Sequence, residues 1–198
     1  MSMGKIYYLM GKSASGKDTV YERLLEEETL DLHRIVLYTT RPARTGEQEG
    51  VEYHFTDEAQ VSRFEEDGRI IELRAYDTVY GIWKYFTADD GQIDINRCDY
   101  LGIGTLESYL KIRDYFGAQN VVPLYIEVED GLRLERALER ERKQETPKYE
   151  EMCRRFLADQ KDFSEENISA AGIGQRISNN GTLEECLARI KNMIRPGD

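Results

Sequence analysis

The residues best placed to do chemistry come early. Gly11-Lys12-Ser13-Ala14-Ser15-Gly16-Lys17 matches the first seven positions of the Walker A pattern and lies between an apolar run and a helix-forming stretch. Gly11 and Gly16 let the backbone curl so that the amides around Ser13, Ala14 and Ser15 face phosphate oxygens, and the following helix adds partial positive charge at its start. Lys17 would then neutralise the β- and γ-oxygens of ATP. The pattern normally continues with Ser or Thr, whose hydroxyl binds Mg²⁺; here Asp18 stands at that position and Thr19 follows. A carboxylate beside phosphates is repelled unless a cation lies between them. Asp18 therefore either points away, charging the helix start while Thr19 and water serve the ion, or holds Mg²⁺ itself.

A second group follows. Thr39-Thr40-Arg41-Pro42-Ala43-Arg44 leads to Gly50-Val51-Glu52-Tyr53-His54-Phe55, and Glu72 and the pair Tyr80-Gly81 come later. Two arginines three apart can present forked donors to one phosphate, and tyrosine hydroxyls add neutral donors. Taken singly, Arg41 and Arg44 read as solvated loop charges, Tyr53 and Tyr80 as core aromatics and Glu72 as an exposed strand acid. Arginines recur at Arg136, Arg140 and Arg155, with Arg142 and Arg154 close by, in a stretch that alone reads as a solvated helix face.

The spacing of these groups resembles the guanylate kinase family over nearly the whole chain, most specifically from Arg-x-x-Arg to the tyrosine. The resemblance implies a nucleoside monophosphate kinase fold: α/β, with a parallel five-stranded core sheet, helices on both faces, an acceptor-binding segment and a lid. It implies that Gly11, Ser13, Ala14, Ser15, Gly16, Lys17, Asp18, Thr19 and Asn179 bind ATP, Asn179 near the adenine, although Asn179-Asn180-Gly181 also reads as an ordinary turn. By the same resemblance Arg41, Arg44, Tyr53 and Tyr80 hold the acceptor phosphate and Glu72 accepts hydrogen bonds from guanine. Arg136, Arg140 and Arg155 close over ATP and act in catalysis beside Lys17. The implied reaction is GMP + ATP to GDP + ADP, with Mg²⁺ carried by ATP.

Besides Asp18, the chain departs from the family in three further places. Leu37 replaces a serine that assists guanine recognition, Ile82 replaces a small hydroxyl residue after Tyr80-Gly81, and Gly102-Ile103-Gly104 stands where the family strand ends Asp-x-Asp. A pocket that loses polar readers loses base discrimination, so phosphate binding is the better inherited property. Loss of the strand acids together with Gly16-Lys17-Asp18 also resembles ribosyl bisphosphate kinases, which makes a ribose phosphate the alternative acceptor. A non-catalytic guanylate-kinase-like binding module is a third reading, against which Lys17 and the lid arginines speak.

These groups need elements to position them. Ile6–Met10, Ile35–Tyr38, Tyr100–Ile103 and Val121–Val128 read as strands, alternating with helical patterns at Lys17–Glu28, Thr105–Phe116 and a capping box at Thr182 and Glu185. Between Leu132 and Phe163 the pattern gives two helices, the second restarted by Thr146 as cap and Pro147. The expected division is a core of 1–34, 93–132 and 164–198, an acceptor-binding segment over 35–92 and a lid over 133–163, all in one domain of 198 residues. With 38 acidic against 27 basic residues and a net charge of −11, nucleic-acid and membrane-surface partners are not expected. Three scattered cysteines suggest neither a disulfide framework nor a zinc site, and two histidines supply no metal cluster. No apolar run reaches spanning length and Met1-Ser2-Met3-Gly4 does not read as a signal peptide, so a cytoplasmic enzyme with small-molecule partners is expected.

Overall fold

The computed structural model describes residues 3–78 and 80–195, so Met1, Ser2 and the last three residues of the expected core lie outside the described residues. Strand β1 (Ile6–Gly11) is buried along its full length because both its faces are covered. Ile6, Tyr8 and Met10 face α3 (Leu106–Phe116) and the small helix α6 (Glu165–Ala170). Tyr7 and Leu9 face α1 (Lys17–Leu25) and α7 (Leu183–Ile194). A period-two alternation thus divides one continuous apolar run between two cores. The sheet is parallel and runs β2 (Leu32–Arg34), β7 (Asp99–Gly104), β1, β8 (Val121–Glu127) and β9 (Arg176–Ser178). It is the five-stranded parallel sheet with helices on both faces expected from the sequence.

A second, mixed sheet occupies the turn-rich insertion. Its order is β4 (Tyr53–Phe55), β3 (Leu37–Thr39), β6 (Gly81–Ala88) and β5 (Ile70–Thr78), with α2 (Glu58–Glu66) packing Val61 and Phe64 on Phe86 and Ala88. Ile35–Tyr38 is not one strand. Ile35 is buried against the end of β2, its amide bonded to Leu101 O at 3.1 Å, and the chain then crosses to the second sheet at Leu37. The apolar run straddles that junction.

Helices α4 (Asp130–Arg142) and α5 (Tyr149–Asp162) form the expected pair, but the restart differs. Lys148, not Thr146, is the N-cap, and Pro147 precedes it. The buried Glu141 carboxylate accepts from the Lys148 amide and closes the turn, which leaves Thr146 no capping task. The capping box of α7 is present in both directions, Thr182 Oγ1 accepting from Glu185 N and Glu185 Oε2 accepting from Thr182 N.

Candidate functional site

The loop from β1 to α1 has the backbone that curling requires. Gly16 has φ 84° and Ala14 φ 61°, so the chain reverses twice before the helix begins. A Cβ at Gly11 would lie 2.8 Å from both Ile126 O and Ser15 Oγ, which explains why glycine starts the loop. Ser15 Oγ is buried without a hydrogen-bond partner, an orphaned hydroxyl inside the curled loop. Lys17 Nζ stands 3.5 Å from Asp18 Oδ2. The Asp18 side chain is 80% exposed and Thr19 is exposed beside it, both on the first turn of α1.

Asn179, expected near the adenine, is wired to the loop itself. It is 6% exposed, and its Nδ2 donates to Ser15 O at 2.8 Å, bracing the loop from below. Its own carbonyl accepts from Arg136 Nη2 at 3.1 Å. The residue therefore ties the end of β9 to the loop and to α4.

Helix α5 also reaches the loop. Asp159 Oδ2 accepts from the Ser13 amide at 2.7 Å, and Lys12 Nζ bonds Gln160, which in turn bonds Asp130. Under these contacts Arg133 is buried, 1% exposed, 3.4 Å from Asp130 and 3.9 Å from Asp159, with its guanidinium 4.6 Å from the Phe156 ring. All three of its nitrogens lack a hydrogen bond, and burial lowers its pKa. Neither Asp159 nor Arg133 stands out in the sequence, since an acid and an arginine in a charged helix carry no spacing signal. Of the expected lid arginines only Arg136 meets the loop region. Arg140 is exposed, and Arg155 lies 3.5 Å from Glu151 on the outer face of α5 beside Arg154, which holds the same carboxylate.

In the second sheet, Arg41 and Tyr53 come together, the guanidinium 5.3 Å from the ring centroid. Arg41 is buried and takes Glu47 as a forked partner, at 2.9 and 2.8 Å, while Glu47 also accepts from the Arg44 amide at 2.7 Å. Burial works against the Arg41 charge, and the Glu47 carboxylate helps to more than restore it, so its pKa is raised. A carboxylate thus occupies a fork that suits a phosphate. Tyr80 does not join this group: it is 77% exposed and stacks on Trp83 at 5.8 Å. Leu37 is half-buried at the start of β3, and Ile82 is exposed near the hairpin tip.

Glu72, expected to face a base, is held inside. Its side chain is 1% exposed; Arg74 donates to it from Nε at 3.0 Å and Nη2 at 3.2 Å, and Thr87 Oγ1 at 3.0 Å. An acid and an arginine two apart on a strand share a face, so this pair is legible in Glu72-Leu73-Arg74. The missing strand acids have a cause as well. A Cβ at Gly102 would lie 2.7 Å from Tyr8 Cδ2, and one at Gly104 would overlap the Tyr8 and Ser108 hydroxyls. Tyr8 fills the space where the two carboxylates would stand, bonds Ser108 Oγ at 2.8 Å and stays protonated because burial pushes its pKa well above the usual range.

Among the described residues no group of three or more His, Cys, Asp or Glu could hold a metal by itself. Mg²⁺ fits all the same if phosphates and water supply most of its shell, since Asp18 and Thr19 offer open hard oxygens at the end of the loop.

The family model described as guanylate kinase matches residues 3–85. The guanylate kinase of Anaplasma phagocytophilum is 39% identical over 82 residues, 41% of this chain and 39% of that protein. That of Chromohalobacter salexigens is 40% identical over 105 residues, 51% of this chain and 48% of that protein. The chain thus matches under half the length of these curated relatives. The crystal structure of the Anaplasma phagocytophilum guanylate kinase superposes with a TM-score of 0.63 at 26% identity, covering 98% of this chain and 86% of that one. Over residues 3–85 the chain is similar in sequence to the guanylate kinases, and over 98% of its length it is similar in fold to one of them.

Proposed function

We propose that this chain is an ATP-dependent phosphotransferase of the nucleoside monophosphate kinase type, moving the γ-phosphoryl group onto the phosphate of a small monoester. The observation that carries this reading is the β1–α1 loop, in which two positive-φ residues, an orphaned buried hydroxyl and Lys17 converge on one helix start. Loop amides and Lys17 hold the β- and γ-phosphates. The Ser13 amide, now bonded to Asp159, exchanges that carboxylate for a phosphate oxygen. Arg136, Arg140 and Arg155 approach the transferred group as the lid closes and excludes water. Asp18 and Thr19 would hold Mg²⁺, which supplies charge neutralisation on the phosphates.

Arg41, Arg44, Tyr53 and Tyr80 bind the acceptor phosphate, which takes the place of Glu47 on the Arg41 fork; Tyr80 swings in from the exposed hairpin. No general base is needed, because the acceptor phosphate oxygen is already a nucleophile. Positioning and charge neutralisation supply the catalysis. Residues 35–92 form the acceptor-binding segment and 133–163 the lid. The name of the relatives favours GMP as acceptor, while the Glu72–Arg74 pair favours one of different chemistry. The net charge of −11 speaks against nucleic acid, no described helix is long and apolar enough to cross a membrane, and a cytoplasmic location is part of this proposal.

The test is acceptor-dependent ADP formation across a panel of monophosphates. Transfer that requires both Mg²⁺ and acceptor, and that is abolished in Lys17→Ala with folding intact, supports the reading. ADP formation that ignores the acceptor, or survives Lys17→Ala, refutes it.

A further inference from the structure

Guanine presents donors, its ring N–H and 2-amino group, so a site that reads it needs an acceptor such as a free carboxylate. Glu72 is not free: Arg74 and Thr87 engage both its oxygens, and its side chain is 1% exposed. Arg74 uses Nε and Nη2 for this pair, which leaves Nη1, and its side chain is 13% exposed against 1% for its partner. Arg74 also lies on the face that carries the phosphate-binding residues. It pairs across the sheet with Tyr85, whose ring meets Tyr53 at 5.7 Å, and Tyr53 lies under Arg41. At the far end, Tyr8 fills the ground where carboxylates would accept from a base. The position that would read guanine thus presents a donor, a guanidinium held charged by Glu72, while the buried Tyr8 hydroxyl beyond it is spent on Ser108 Oγ and supplies no carboxylate acceptor.

We propose that Arg74 determines acceptor specificity by reversing the polarity of the reading position, so that the preferred phosphorylated acceptor presents an oxygen where guanine presents its 2-amino donor. Two sources share that chemistry, an oxopurine with oxygen in place of the 2-amino group and a sugar carrying a second phosphate. The proposal rests on the phosphotransferase reading. Guanine would leave its donors facing Arg74 without partners, a mismatch that reduces transfer by roughly ten- to a hundredfold.

The experiment measures kcat/KM for GMP, xanthosine monophosphate and ribose 1,5-bisphosphate with ATP. We expect one of the last two to exceed GMP by about tenfold or more, and the arm that does so identifies the source. Arg74→Met exposes Glu72 as an acceptor and should move the ratio toward GMP. Because that variant leaves a buried carboxylate uncompensated, the neutral pair Glu72→Gln with Arg74→Met is measured beside it and should abolish the preference for the oxygen-bearing acceptor. GMP equal to or ahead of both competitors in the native enzyme, or a ratio unmoved in the double variant, overturns the proposal while leaving phosphotransfer standing. Absence of transfer to every one of the three acceptors overturns both.

Discussion

Asn179 offers a sharp test of how the phosphate loop is held. If its task is to brace the loop rather than touch adenine, Asn179→Ala removes one buried hydrogen bond, Nδ2 to Ser15 O at 2.8 Å, and orphans that carbonyl. The bond contributes about 1 kcal/mol and the stranded carbonyl costs about as much again. A loss of about 2 kcal/mol lowers the melting temperature of a chain of this size by about 4–8 °C. Arg136 should keep its partner, because it binds the backbone carbonyl of residue 179 and not the amide. The functional consequence follows from where the brace lies. It supports the loop that holds phosphates, so KM should rise for ATP and GTP as donors by similar factors. Thermal melting and donor kinetics with both triphosphates are the assays. A melting temperature unchanged within about 1 °C, well short of that shift, together with weakened ATP and unaffected GTP, would mean that Asn179 reads the base and that bracing is the wrong account.

Arg41→Ala should raise the acceptor KM while ATP binding measured alone stays unchanged, and a parallel loss of ATP affinity would show that the second sheet is misassigned. Asp18→Asn should raise the Mg²⁺ concentration needed for half-maximal activity, with Asp18→Ser partly restoring it as a hydroxyl ligand; an unmoved Mg²⁺ titration assigns the ion to phosphates, water and Thr19. Restoring the family acid by Gly104→Asp forces a side chain into the Tyr8 and Ser108 hydroxyls and should destabilise the fold by about 1–3 kcal/mol. A calorimetric scan that finds it as stable as the native chain would refute the claim that Tyr8 fills that site.

The sequence carries the core well because local patterns dictate it. The alternation in Ile6–Met10 divides between two cores, and the Thr182 and Glu185 capping box forms as written. The second sheet is harder to read, since two of its strands are short and half-buried and one apolar run, Ile35–Tyr38, crosses between sheets. Much of the site's wiring is long-range. Ser13 meets Asp159, Ser15 meets Asn179 and Tyr8 meets Ser108 across 146, 164 and 100 residues, and no local spacing announces such contacts. The Glu72–Arg74 pair is the exception, because opposite charges two residues apart on a strand fall on one face by the period of the strand alone.

The central claim is that one phosphoryl group passes from ATP to the phosphate of a small acceptor, and ³¹P NMR of the running reaction tests it most directly. With Mg²⁺, ATP and the best acceptor of the panel, the account predicts loss of the ATP γ signal, growth of ADP, and a new phosphoanhydride signal on the acceptor, all absent in Lys17→Ala. Growth of inorganic phosphate alone, or the same anhydride signal from Lys17→Ala, would contradict it.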